Sequence, residues 1–205
     1  MIGALAPVVA KHRAAITEPR KVRELVRAMD AFSGSPVVRA ALWFSAYTFQ
    51  RPGEIRKAEW TEIDLDAAEW RIPAEKMKMR EPHIVMLSRQ AMEVLRGLQP
   101  LTGRGKYVFP SIRIAARGDI PMSENTIVAA LRRLGFGQDE MCAHGFRGMA
   151  STILNEQEWS SDVIELSLAH SPKDGVRSAY NHARYLSKRR ELAQHWADCL
   201  DGQKE

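Results

Sequence analysis

Four stretches of the sequence hold polar side chains where a plain core pattern does not ask for them. In Gln50-Arg51-Pro52-Gly53-Glu54, Arg51 falls between a buried helix and a new helix start. A guanidinium fork beside exposed backbone donors suits an anionic oxygen. Glu54 is placed to pair with a neighbouring cation and hold that junction. Lys76-Met77-Lys78-Met79-Arg80 is a charged tip between two strands, able to deliver a cation such as Lys78 into a groove. In His144-Gly145-Phe146-Arg147 the imidazole and guanidinium stand three positions apart, so on a helix both can converge on one phosphate. Gly145 and Gly148 leave room there for another backbone. In the fourth stretch, His170 ends one helix, and Tyr180 and Asn181 lie inside the next. Each stretch alone has an ordinary reading: a surface arginine, a solvated hairpin, a chance H-x-x-R, a core tyrosine.

The elements that must position these residues follow from periodicity. Residues 1–16 show no period and carry Gly3 and Pro7, so we expect a linker. Thr17 offers a helix N-cap ahead of Pro19, and Val22, Leu25, Val26 and Met29 recur at helical spacing up to Gly34. Ser35-Pro36 opens a second helix, apolar nearly all round to Phe49, and Pro52 permits a short third. Between Ile63 and Leu87 the signals change to strands: Glu69-Trp70-Arg71-Ile72 alternates, Ile84 to Leu87 forms a partner, and a tight hairpin is expected over residues 76–82. Helices resume after Ser88 and after Ser123. The last third predicts helices over 143–155, 162–168, 174–186 and 188–200, with breaks at Gly145, Trp159-Ser160, Ser171-Pro172 and Ser187. The fold class is mainly α (α+β), with one small antiparallel sheet.

Composition narrows the function classes. The chain has 205 residues, 45% of them apolar, enough for one well-packed domain. Its net charge of +5 favours a polyanionic partner without requiring one. Cys142 and Cys199 cannot form a disulfide framework or a metal-site spacing, and both read as reduced residues on helix faces. No apolar run reaches membrane-spanning length, and Met1-Ile2-Gly3 lacks the charged start of a signal peptide. A cytoplasmic protein is expected.

Taken in order, the four stretches are much more specific than any one of them. Arginine, hairpin lysine, H-x-x-R, histidine and then tyrosine ten positions on (180 minus 170) resembles the tyrosine recombinase, or phage integrase, family. Arg51 to Arg56 with Trp60 and Asp64 looks like the family's first arginine box. Lys78 ahead of Pro82-His83-Ile84-Val85 is similar to its lysine hairpin. His144 to Arg147 resembles the second arginine box, and Leu168-Ala169-His170 with Ala179-Tyr180-Asn181 the nucleophile box. Trp196-Ala197-Asp198 matches a common ending, and the wording is most similar to prophage integrases of the satellite phage P4 type. Met86 stands where the pattern expects proline, which bears on a strand end. The resemblance implies a helical catalytic domain over 17–205 with a three-stranded antiparallel sheet. Arm-binding and core-binding domains are expected to be absent, with 1–16 a linker remnant.

The resemblance also implies a mechanism. The Tyr180 hydroxyl would attack a scissile phosphodiester, giving a 3′-phosphotyrosine and a free 5′-hydroxyl, so that strands rejoin without ATP. Arg51 and Arg147 would meet the charge growing on the non-bridging oxygens, with His144 and His170 adding hydrogen bonds. Lys78 is the candidate general acid for the leaving oxygen, His144 or water the proton acceptor for Tyr180, and Glu54 a support for the site. No metal and no cofactor are expected. The implied partners are double-stranded DNA at attachment sites and other integrase subunits in a synaptic tetramer, the isolated chain being a monomer away from any membrane. It would act in the bacterial cytoplasm, at the nucleoid when bound to DNA. The final helix, with Leu192, Trp196 and Cys199 on one face, either packs on its own domain or docks on a neighbour. The alternatives are a type IB topoisomerase-like relaxing enzyme, a DNA-binding regulator keeping the fold without cleavage, and a structural module binding through its last helix.

Overall fold

The computed structural model describes residues 13–111, 120–170 and 185–204. Helix α1 (Pro19–Asp30) buries Val22, Leu25, Val26 and Met29, the stripe that its period demands. Its N-cap is Glu18, one residue after the expected Thr17, because Pro19 supplies a preset φ at the first helical position. It stops at Asp30, short of Gly34. Helix α2 (Pro36–Thr48) is the central rod. From Ala41 to Thr48 every residue is buried, since helices pack on it from several sides.

Helix α2 ends on Phe49, which adopts the left-handed conformation at φ 43°. The reversal turns the chain through Gln50 and Arg51 into α3 (Pro52–Arg56). Strands β1 (Ile63–Asp64), β2 (Glu69–Ile72) and β3 (His83–Met86) form an antiparallel sheet in that order, with Trp70 opposite Val85 and Ile72 opposite His83. This is the three-stranded sheet that the resemblance implied. Met86 is the last paired residue of β3, opposite Glu69. The tight hairpin does not form. Residues 73–82 join β2 to β3 through a 3-10 turn at Ala74–Lys76 followed by turns, because Pro73 ends β2 and Met77 is drawn into the core.

Helix α4 (Arg89–Thr102) is capped by Ser88, whose hydroxyl accepts from the Ala91 amide at 3.2 Å. Helix α5 (Thr126–Arg133) begins after Asn125 rather than at Ser123. Helices α6 (Gly145–Glu156) and α7 (Ser161–Ser167) follow, with His144 as the N-cap of α6, so Gly145 opens this helix instead of breaking it. Cys142 lies in the turn before α6, not on a helix face, and Cys199 is half-buried on the last helix; both are free thiols. The helix expected over 174–186 falls mostly on residues 171–184, outside the described ones. Helix α8 (Leu186–Asp201) begins one residue before Ser187, where a break was expected, with Tyr185 as its N-cap.

Helix α8 packs on its own domain. Leu192, Trp196 and Leu200 are buried, the Trp196 indole donates to Ala46 O at 2.8 Å, and its ring meets Phe49 edge-on. The final residues of the expected linker are packed too. Ile16 is in the core, and Ala14 O accepts from the Cys142 amide at 3.3 Å. A Cβ on Gly145 would stand 2.5 Å from Ala14 O, and one on Gly148 would stand 3.0 Å from Ala15 Cβ. Gly145 therefore admits a backbone, as its pattern suggested, whereas Gly148 admits a side-chain methyl. Among the described residues, no helix is long and apolar enough to cross a membrane.

Candidate functional site

Arg51 is the N-cap of α3, and Glu54 locks it in place. The Glu54 carboxylate accepts from the Arg51 amide at 3.0 Å and from its Nη1 at 2.8 Å. Glu54 thus has the supporting geometry expected of it. It also occupies the backbone donor of Arg51 itself, so the guanidinium is what that residue has to present. Its Nη2 reaches across to Ala169 O at 3.2 Å.

Arg147 lies one turn into α6, with its guanidinium buried. Nη1 donates to Phe49 O at 3.0 Å and Nη2 to Leu168 O at 2.7 Å; Nη2 also meets His170 Nε2 at 3.1 Å. No carboxylate pairs with it directly among the described residues. Burial, then the charge on Arg51, pull Arg147 down to about 10, while Glu54 and Glu165 push it up. It stays charged at neutral pH, held by carbonyl dipoles rather than by a counter-ion.

Two left-handed residues make these contacts possible. Phe49 turns the end of α2, and Ala169 at φ 52° turns the end of α7. At α7 the His170 amide bonds to Glu165 O and the Ala169 amide to Leu166 O, a Schellman cap built on alanine instead of glycine. The turn brings His170 back beside Glu165, whose Oε2 is 2.6 Å from Nδ1. An arginine can only donate, so Nε2 accepts from Arg147 and the proton of a neutral His170 rests on Nδ1, facing Glu165. Gln50 ties the same two turns, donating to Thr48 O and to Ser167 O at 2.9 and 2.8 Å.

His144 precedes α6 in helical conformation, and the Arg147 amide bonds back to its carbonyl at 3.0 Å, so the i, i+3 closeness survives at the helix start. Burial first, then the charges of Arg13, Arg147 and Arg51, push its imidazole down to about 4. His144 is therefore a neutral ring near the guanidinium groups of Arg13, Arg147 and Arg51.

Arg51, Glu54, Arg147, His144 and His170 thus come together around the ends of α2 and α7 and the start of α6. Lys78 stands elsewhere, exposed on the turn after the 3-10 segment of the β2–β3 connection. Tyr180 lies outside the described residues. Sequence reasoning missed two residues. Glu165 is five positions before His170, a spacing that no helix face predicts, and only the left-handed Ala169 makes it a neighbour. Lys76 was grouped with the hairpin charges, yet its Nζ bonds to Lys57 O at 3.1 Å, Glu59 Oε1 at 2.5 Å and Glu62 Oε1. Acidic residues at 59 and 62 were the available signal.

The family model described as "Phage integrase family" matches residues 16–186. The integrase of Enterobacteria phage P4 is 42% identical over 216 aligned positions, covering 98% of this chain and 48% of that protein. The chain spans about half the length of the curated relatives that it matches. Among solved structures, the integrase from mycobacterium phage Brujita superposes with a TM-score of 0.67 at 17% identity, covering 100% of this chain and 67% of that one. A lambda integrase tetramer bound to a Holliday junction gives 0.59 at 18% identity, covering 83% and 51%. With its ordered motifs, its fold and a family match across most of its length, the chain belongs to the phage integrase family.

Proposed function

We propose that the chain is the catalytic domain of a tyrosine site-specific recombinase, which cleaves and rejoins DNA through a covalent phosphotyrosine at Tyr180. The observation that carries this reading is the buried charge of Arg147, set beside Arg51 and held by two carbonyl oxygens and His170, with no carboxylate paired to it among the described residues. A cation held in this way is poised for an anion from outside, and a scissile phosphate is such an anion. In this reading Arg51 and Arg147 take up the charge that grows on the non-bridging oxygens as phosphorus becomes five-coordinate. No step is assigned to a metal.

His144 is neutral at physiological pH and so is free to take a proton. With a value near 4 it is a weak base toward a phenol of about 10. A phosphate bound between the two arginines would raise it by adding negative charge and screening theirs, so the base gains strength as substrate arrives. His170 acts through Arg147, which it orients, and Glu165 fixes its tautomer. Lys78 protonates the leaving 5′-oxygen.

Residues 17–205 form the catalytic unit in this account. Its substrate is double-stranded DNA at an attachment site, for integration or excision of a prophage or genomic island. It would be monomeric alone and would join other integrase subunits in a synaptic tetramer. The lambda assembly on a Holliday junction supports that stoichiometry by analogy of fold. Its setting would be the bacterial cytoplasm and nucleoid. The test is a nicked suicide duplex carrying a candidate attachment core, incubated in EDTA with the chain and with Tyr180→Phe. The reading expects a denaturant-resistant protein–DNA adduct from the first and none from the second. An adduct formed equally by both would exclude Tyr180.

A further inference from the structure

The β2–β3 connection carries two lysines, and the reading above uses Lys78 alone. We propose that Lys76 is a positioning residue for Lys78, docking the connection onto the far end of the helix that begins at Arg51. The inference rests on the recombinase reading and adds to it a reason why the acid and the phosphate clamp keep register.

Lys76 closes the 3-10 turn Ala74–Lys76, and its side chain is largely covered, at 20% exposure. Its ammonium group spends its three protons on Lys57 O, Glu59 Oε1 and Glu62 Oε1. The acceptors are themselves fixed. Glu62 is 8% exposed, and its other oxygen accepts from the Trp70 indole at 3.0 Å and from the Glu59 amide at 3.2 Å. Such an ion pair differs in kind from surface pairs such as Arg20–Glu24, whose partners are 84% and 56% exposed and which contribute little.

The place of the clamp gives it meaning. Lys57 is the C-cap of α3, and Arg51 is its N-cap. Five helical residues therefore connect the lysine clamp to the first arginine. On the other side of Lys76, Met77 is buried and its carbonyl accepts from the Arg80 amide at 3.1 Å, while Arg80 takes φ 54° to close the turn. Lys78 sits inside that turn, two residues from Lys76, so their Cα atoms are at most about 7 Å apart. A flexible ten-residue connection would sample many positions for its lysine. A connection anchored at Lys76 and Met77 leaves only the Lys78 side chain to search, and orientation of this kind is worth large factors in rate.

The chemistry supplies a test that a purely structural role would fail. In the cleavage step the Tyr180 oxygen bonds to phosphorus, the P–O5′ bond breaks and Lys78 gives its proton to O5′. If sulfur replaces that bridging oxygen, the P–S bond breaks instead and a thiolate departs. A thiol of pKa about 8.5 leaves without protonation, so the acid becomes dispensable. Cleavage rates are measured on the nicked duplex and on its bridging-sulfur counterpart, for the unsubstituted chain, Lys78→Ala, Lys76→Met, Lys76→Arg and Glu59→Gln.

We expect Lys76→Met to lose about 10²-fold on the oxygen substrate, as a displaced catalytic group does. It should recover on the sulfur substrate, as Lys78→Ala should. Lys76→Arg keeps the ion pairs and most of the rate. Glu59→Gln, a milder change, should show a smaller loss with the same recovery, and keeps the test open if Lys76→Met folds poorly. A loss by Lys76→Met and Glu59→Gln on both substrates, or on neither, would overturn the positioning role. Failure of sulfur to restore Lys78→Ala would overturn it as well, by removing Lys78 as the acid. If the unsubstituted chain forms no adduct at all, the recombinase reading falls first and this inference with it.

Discussion

Replacing Arg147 with methionine separates a residue kept for function from one kept for stability. Its guanidinium, pulled down to about 10 mainly by burial, has a charged form disfavoured in the fold by about 3 kcal/mol. Methionine removes that cost. It also strips charged donors from Phe49 O and Leu168 O, at about 2 kcal/mol each, while the exposed His170 ring can turn to water. The two effects nearly cancel, leaving a net loss of about 1 kcal/mol, or about 3 °C in Tm for a chain of this size. Cleavage should fall by about 10³-fold or more, since an oxyanion donor is lost from a buried site. Urea unfolding monitored by circular dichroism gives the first number and suicide-substrate adduct formation the second. A stability loss above about 4 kcal/mol would refute the reasoning. That is the cost of breaking a buried charge pair, and it would make Arg147 a strut of the fold.

His144 should make stability depend on pH. Its folded value near 4 lies below the unfolded value near 6.5, so between these limits the unfolded chain binds a proton that the folded chain does not. Stability is then full above about pH 6.5 and falls as pH drops toward 4. The ceiling is about 3 kcal/mol, reduced to about 1–2 by partial solvent access; urea titrations at pH 7.5 and 4.5 should show this, and His144→Gln should flatten it. Gly145→Ala would push a Cβ against Ala14 O and Met141 Sδ, at 2.5 and 2.6 Å, and should cost about 1–3 kcal/mol. Limited proteolysis should then cut faster near Arg13, and an unchanged cleavage pattern would mean that the N-terminal segment is not held there. Trp196→Ala should cost about 3–5 kcal/mol, because a wholly buried indole and its bond to Ala46 O are lost together. A loss under 1 kcal/mol would show that α8 contributes little to its own domain.

Most of the architecture was legible because it rests on periodicity. The stripe of α1, the apolar run of α2 and the alternation of β2 each name a buried face. What escaped sequence reasoning depends on backbone reversals at residues with no propensity for them. Phe49 and Ala169 take left-handed conformations usually left to glycine, so nothing in their type announces that their turns will face each other. The site is built on those turns, and Glu165 becomes a partner of His170 only because Ala169 reverses the chain. The ordered motif found Arg51, Glu54, His144, Arg147 and His170 but gave no hint of why they converge. The β2–β3 connection was misread for a related reason: its charges looked solvated, while Lys76 is withdrawn into a carboxylate pair that lies far from it in sequence. The boundary expected at Ser187 lies at Tyr185, the N-cap of α8, because Leu186 and Ser187 join the helix whose inner face buries Arg189, Leu192 and Trp196.

The central claim is that Tyr180 becomes covalently attached to DNA through a 3′-phosphate. The direct measurement is mass spectrometry of the adduct after nuclease trimming and tryptic digestion. Trypsin should release residues 178–184, Ser-Ala-Tyr-Asn-His-Ala-Arg. The account predicts this peptide with a nucleotide 3′-phosphate on Tyr180 and a free 5′-hydroxyl on the released strand. A nucleotide on Ser178 or on any other residue, or a 5′-phosphate linkage, would contradict it.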